Sequence, residues 1–388
     1  MKKYTVLALF TVLVAVMECS AQTTGDCAVL DTHLFRSSAR HWYYIRERVN
    51  VINAIPGHPK HHGNELIEIG DNILLYQQDN GGWPKNYDMQ AKLTEGQKDS
   101  LKKAKGMLET TFDNSSTYSH VECLARIYMA TGIEKYKTAC LKGLEYTLAA
   151  QYPSGGWPQI FPLKDDYSRY ITYNDDVMIG IMKLFMEILN GNYCYTFINE
   201  EIREKIRRSY VKGLECILKC QISENGLLTA WAQQYDEKTL QPSPARAYEP
   251  VALCSRESAI IVNFLMEIKK PDRELINAVR AAANWMEQQK LTGIRIDTFE
   301  ADQIIAYPSG VIKTDRMVVE DTQSPPVWSR FYELGTGKPL FCTRLGKIVY
   351  SLAEVDRERR VGYGWYTYLP QLTLDKYQSW QQQSLSSE

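Results

Sequence analysis

Trp83, Trp157 and Trp231 are evenly spaced along the chain, since 157 − 83 and 231 − 157 both equal 74. Each lies in a related phrase: Asn80-Gly81-Gly82-Trp83-Pro84-Lys85, Ser154-Gly155-Gly156-Trp157-Pro158-Gln159 and Leu228-Thr229-Ala230-Trp231-Ala232-Gln233. A period this long holds a helix, a Gly-Trp loop and a second helix, and such a unit buries its apolar face only against its neighbours. The units must therefore stack. Loops at equivalent points of the stack then converge on one face, where their polar residues can build a single site.

The stretches 121–130, 177–189 and 258–268 are apolar enough to be buried on more than one side, whereas 136–151 and 203–220 carry charged outer faces. Buried inner helices beside half-polar outer ones predict an all-α fold, an α/α toroid. It would have three helix-pair repeats in an incomplete double ring, with long irregular loops and few short strands. Residues 291–345 interrupt the rhythm with Gly, Pro and β-branched residues and read as a long functional loop region. The repeat domain is placed at 65–388, after an irregular polar segment at 22–64. Within that segment His58, His61 and His62 form a solvated turn in preference to a metal site.

Lys2 and Lys3, the short apolar run 4–17 and Cys19-Ser20-Ala21 form a signal peptide over residues 1–21. Glu18 disfavours the alternative, lipidation at Cys19. The protein is expected to be exported, periplasmic or extracellular, with no membrane span in the mature chain. A net charge of −1 provides no field that selects nucleic acid. The eight cysteines after Cys19 lie mostly in apolar helical runs and read as buried free thiols. The protein is expected to act as a monomer.

Polar clusters precede the inner helices: Phe112-Asp113-Asn114, Tyr173-Asn174-Asp175-Asp176 and Arg246-Ala247-Tyr248-Glu249. Asp and Asn are preferred helix caps, which explains any one cluster alone. Recurrence at matched places, with an arginine in the third, points to a site. Converging Asp113, Asp175 and Asp176 would offer hard oxygen ligands suited to calcium rather than zinc. Arg246, Arg316 and Arg330 lie in loop-like sequence, where each could simply pair with Glu249, Asp315 or Glu333. Together, opposite an acidic cation site, they would suit a substrate bearing several carboxylates.

The runs Asp71-Asn72-Ile73-Leu74-Leu75-Tyr76-Gln77, Asn80-Gly81-Gly82-Trp83-Pro84-Lys85-Asn86, Phe112-Asp113-Asn114 and Trp328-Ser329-Arg330-Phe331-Tyr332-Glu333-Leu334 carry a resemblance. The chain resembles the polysaccharide lyase family 10 pectate lyases from about Glu65 to Tyr366. The resemblance implies an α/α toroid that cleaves polygalacturonate or pectin by calcium-assisted anti-β-elimination, giving 4,5-unsaturated oligogalacturonides. It implies Ca²⁺ on Asp113 and Asp175, and substrate contacts from Arg316, Arg330, Lys85 and Asn86. Arg246 is implied as the catalytic base, with nearby Arg256 as the other candidate. Two readings compete: an inverting glycoside hydrolase using Asp113 with Asp175 or Asp176, and a non-catalytic uronate-binding protein.

Overall fold

The computed structural model describes residues 30, 32–44, 50–55, 57–307 and 310–385. The signal peptide and Cys27 lie outside the described residues. Eleven α-helices are described: α1 Arg36–Tyr44, α2 Leu66–Tyr76, α3 Glu95–Ala104, α4 Tyr118–Thr131, α5 Glu134–Ala149, α6 Val177–Leu189, α7 Glu200–Lys219, α8 Ser255–Met266, α9 Arg273–Gln288, α10 Arg357–Gly362 and α11 Leu369–Leu385. Their boundaries follow ordinary capping chemistry. Asn199 accepts from the Ile202 N–H at the start of α7, and Asp272 does the same for Leu275 at the start of α9. Gly132, at φ +68°, ends α4. The pairs α4/α5, α6/α7 and α8/α9 pack together. Helices α2, α4, α6, α8 and α11 run side by side in one row, and α5, α7 and α9 form a second row against them.

The tryptophan period is the joint between these pairs. The indole N–H of Trp83 donates to the Ile73 carbonyl near the end of α2, and that of Trp157 to Thr147 near the end of α5, both at 2.8 Å. Trp231 donates in the same way to Ile217 of α7 at 2.8 Å. Trp328 donates to Met286 of α9 at 2.8 Å, so it is a fourth member of the series. It follows Trp231 by 97 residues (328 − 231), which hides it from a search at a fixed period of 74. All four indoles are fully buried. A glutamine clasp repeats alongside. The Nε2 groups of Gln77, Gln151 and Gln221 each bridge a loop carbonyl and a carbonyl of the next outer helix, at Ala139, Ser209 and Ala278. Gly143 of α5 is held small by this packing, since a Cβ there would meet the Trp83 ring at 2.7 Å.

The fold is not all-α, and the expected toroid is corrected accordingly: helix makes up 48% and strand 16%, a mixed composition. The segment 291–345 is where the sequence reading departs most from the structure. A long antiparallel hairpin pairs Ile294–Tyr307 with Gly310–Glu320, in a register that sets Thr298 opposite Arg316. Its β-branched alternation (Ile294, Ile296, Thr298) is a strand pattern, which a helix-period search reads as a break. Beyond it, Leu253–Cys254, Phe331–Tyr332, Pro339–Cys342 and Ile348–Val349 form a four-stranded antiparallel sheet. That sheet has its own small core around Phe331, Phe341, Tyr363 and Trp365, beside the main helical one. The segment 22–64 is also less irregular than expected, because it contains α1. His58 is buried against the Trp42 ring, and His61 is hydrogen-bonded to Glu65. The seven described cysteines are all free and buried, in line with the sequence reading.

Candidate active site

Two matched turns, Asp113–Ser115 ahead of α4 and Asn174–Asp176 ahead of α6, pack against each other. Both are strained in the same places. Asn114 and Ser115 have φ of +52° and +63°, and Asp175 and Asp176 have +50° and +61°. Non-glycine residues are uncommon in this region and persist only where the surroundings over-determine them. Here the surroundings are hydrogen bonds: Asn114 donates to the Asn86 side chain at 2.9 Å, and Asn174 donates to the Asp175 carboxyl at 2.9 Å.

The turns bring Asp113 and Asp175 into one electrostatic field. Burial, and then the Asp113 charge, push the Asp175 carboxyl up to about 7. Burial also works to raise Asp113, but Lys85 outweighs it and holds Asp113 below the usual carboxylate range. The Lys85 ammonium lies 2.5 Å from Asp113 Oδ2, while Asp113 Oδ1 and Asp176 Oδ1 are buried without a hydrogen-bond partner. Paired carboxylates with unmet oxygens and no soft donor fit a hard divalent cation. Among the described residues no group of three or more His, Cys, Asp or Glu converges as a cage. The protein would therefore supply only part of such an ion's coordination.

The arginines approach from a loop at Arg246, from the edge of the small sheet at Arg330 and from the hairpin at Arg316. Arg246 lies on Glu249 in a bidentate pair, Nε to Oε2 at 2.8 Å and Nη2 to Oε1 at 2.7 Å, with Glu249 almost fully buried. Burial alone would lower the Arg246 pKa, but the bonds and charge of Glu249 raise it, so the guanidinium is firmly protonated. Arg330 is buried, donates to Asn174 Oδ1 at 2.8 Å and to Glu257 Oε1 at 2.5 Å, and lies 4.7 Å over the Tyr363 ring. The Tyr363 hydroxyl in turn donates to Glu249 at 2.9 Å, so one tyrosine ties both arginine–glutamate pairs together. Arg316, on the hairpin, donates to the Tyr363 carbonyl at 3.1 Å.

Of the residues singled out from sequence, Asp113, Asp175, Lys85, Arg246 and Arg330 thus gather in one place, and Arg316 reaches its edge. Asn86 is buried and steadies the Asp113 turn through Asn114. The simple arginine pairing foreseen for Arg246 is present with Glu249. Asp315 instead binds Arg360, and Glu333 binds Tyr350. Glu257 and Tyr363 were missed. Both act across long sequence separations and lie in no motif that signals an arginine partner.

A family model described as pectic acid lyase matches residues 77–374. Two solved structures of family 10 polysaccharide lyase from Cellvibrio cellulosa are similar to this chain. One, a mutant in complex with trigalacturonic acid, is 30% identical, covers 80% of this chain and 92% of its own, and has a TM-score of 0.69. The other is 29% identical, covers 84% and 98%, and has a TM-score of 0.67. No curated protein matches the chain. The chain belongs to the pectic acid lyase family. It is a pectate lyase, an enzyme of polysaccharide degradation. None of its described helices is long and apolar enough to cross a membrane.

Proposed function

We propose that this lyase cleaves polygalacturonate by calcium-dependent anti-β-elimination, giving 4,5-unsaturated oligogalacturonides, in the periplasm or outside the cell. One observation carries the reading: Asp113 Oδ1 is buried without a partner beside the Lys85 ammonium, and Arg330, bonded to Asn174 in the Asp175 turn, brings a guanidinium to the same place. Carboxylates with unmet oxygens, facing guanidiniums, are what a polymer bearing a carboxylate on every sugar requires. The trigalacturonic acid in the similar structure supports that substrate class.

Asp113 and Asp175 would hold Ca²⁺, which would supply positive charge to the uronate C6 carboxylate and so make the C5 proton more acidic. Arg330, fixed by Glu257, Asn174 and Tyr363, adds a preorganised positive charge on the same side. Arg316 and Lys85 are proposed to bind further substrate oxygens. Asn86 would contribute by holding Asn114 and, through it, the Asp113 turn. Arg246 is proposed as the base. It takes the C5 proton, the C–H electron pair becomes the C4–C5 double bond, and the C4–O4 bond breaks with O4 taking a proton from solvent. To accept that proton Arg246 must first lose its own, which Glu249 opposes. Activity is therefore expected to rise toward alkaline pH.

The test is polygalacturonate turnover with and without a chelator, followed by ultraviolet absorbance of the unsaturated product. Absorbance that chelation abolishes and calcium restores is the expected result. New reducing ends without absorbance would overturn elimination in favour of hydrolysis.

A further inference from the structure

Glu257 lies in the first turn of α8 and is completely buried, yet one of its oxygens serves two arginines. Oε1 accepts from Arg330 Nη2 at 2.5 Å and from Arg256 Nη1 at 3.2 Å. The two guanidiniums differ in every other respect. The Arg330 side chain is 9% exposed, lies over an aromatic ring and shares its Nη2 with Asn174. The Arg256 side chain is 33% exposed. It shares Glu257 with Arg330, whose Nη2 also bonds Asn174 in the turn that carries Asp175, so it is tied to the neighbourhood of the paired carboxylates. Two like charges sharing one carboxylate oxygen repel each other and leave positive charge directed at solvent. An anion arriving there relieves that repulsion and finds a planar donor fork already anchored at one end.

We propose that Arg256 is a substrate-binding residue that grips a uronate carboxylate of the polymer, with Glu257 as its positioning residue. This rests on the reading of the protein as a pectate lyase, and it separates Arg256 from the role of base. The grip is electrostatic and directed at a free carboxylate, so it discriminates against methyl-esterified sugars. A base at the same position would influence every substrate alike.

The experiment compares kcat/KM on fully de-esterified polygalacturonate with kcat/KM on half methyl-esterified pectin, for the wild-type enzyme and for Arg256→Gln. The wild type should favour the free acid. Arg256→Gln should lower kcat/KM on the free acid by about tenfold, mainly through KM, and much less on the ester, so that the preference shrinks. Arg256→Lys should recover part of the preference, because the charge remains while the fork is lost. Equal losses on both substrates, an unchanged preference, or a lysine variant no better than glutamine would each overturn the proposal. A wild-type enzyme that turns over neither substrate would instead overturn the pectate reading itself.

Discussion

Asp175 is ordinarily an acid of pKa 3.8, but here it keeps its proton to about 7, through burial and the neighbouring Asp113 charge. In the metal-free protein its folded pKa is raised above the unfolded one. Its contribution to stability is therefore complete below pH ~4 and is lost as pH rises through ~7. A divalent cation favours the ionised pair and removes that penalty. Calcium should accordingly raise the melting temperature more at pH 8 than at pH 5, and equal shifts would argue against a cation here. Asp113→Ala and Asp175→Ala should keep the fold but lose activity at low calcium. Full activity of either variant after thorough chelation would remove the metal role. For Arg246, replacement by Ala should abolish the chemical step. Arg246→Lys should retain some activity with its optimum moved to lower pH, because lysine gives up a proton more readily than arginine. Near-normal turnover of Arg246→Ala would take the base role away from it. At this scale the charged groups were legible because the clusters repeat. Their partners Glu257 and Tyr363 were not, since the contacts Arg330–Glu257 and Tyr363–Glu249 span 73 and 114 residues.

Helix α4 shows how one element ties the repeat to the site. Its first turn carries His120, whose Nδ1 accepts from the Thr117 N–H at 3.0 Å, so the ring proton sits on Nε2 and is donated to the Tyr87 hydroxyl at 2.6 Å. The ring also stacks on Trp83 at 5.0 Å, so the tryptophan series and the helix start hold each other. Burial lowers the His120 pKa to about 3 from an ordinary 6.5. The folded state thus refuses a proton that the unfolded chain accepts, and stability falls as pH drops from ~6.5 toward ~3. The effect is opposite in sign to that of Asp175, so the net slope of the wild type is blunted. Thermal melts of His120→Gln against wild type should isolate it, with the stability gap between the two narrowing as the pH falls. A gap that stays constant between pH 7 and pH 4 would count against a buried neutral imidazole. Among elements, the helix pairs were legible from the 74-residue period. The fourth tryptophan and the hairpin were not, for one shared reason. The Ile294–Glu320 insertion displaces Trp328 from the period, and its two-residue alternation is invisible to a 3.6-residue search.

Over the whole molecule, two rows of helices deliver the carboxylate turns, while Arg330 comes from the edge of the small sheet and Arg246 from the loop before it. Only the outer part of the long hairpin stands apart from this arrangement, since its base is bonded to α10 through Asp315 and Arg360. The described side chains between 301 and 313 are exposed or half-exposed, and Glu300 pairs directly with Thr314. Removing 301–313 and closing Glu300 to Thr314 with Asn-Gly, a pair suited to a two-residue turn, should leave the melting temperature within a few degrees. A collapse in stability would show that the ribbon belongs to the folding core. Arg316 would survive the deletion, because it lies on the body side of the cut. The hairpin lies inside the fourth tryptophan joint, between Met286 and the Trp328 indole that bonds its carbonyl across 42 residues, whereas the third joint spans only 14. Extra chain length at that point lengthens a loop, and loop closure grows only logarithmically costly with length. Evolution can therefore lengthen, shorten or redecorate this arm across a lineage while the joint that encloses it keeps its geometry. The arm is free to diversify because the frame does not measure it.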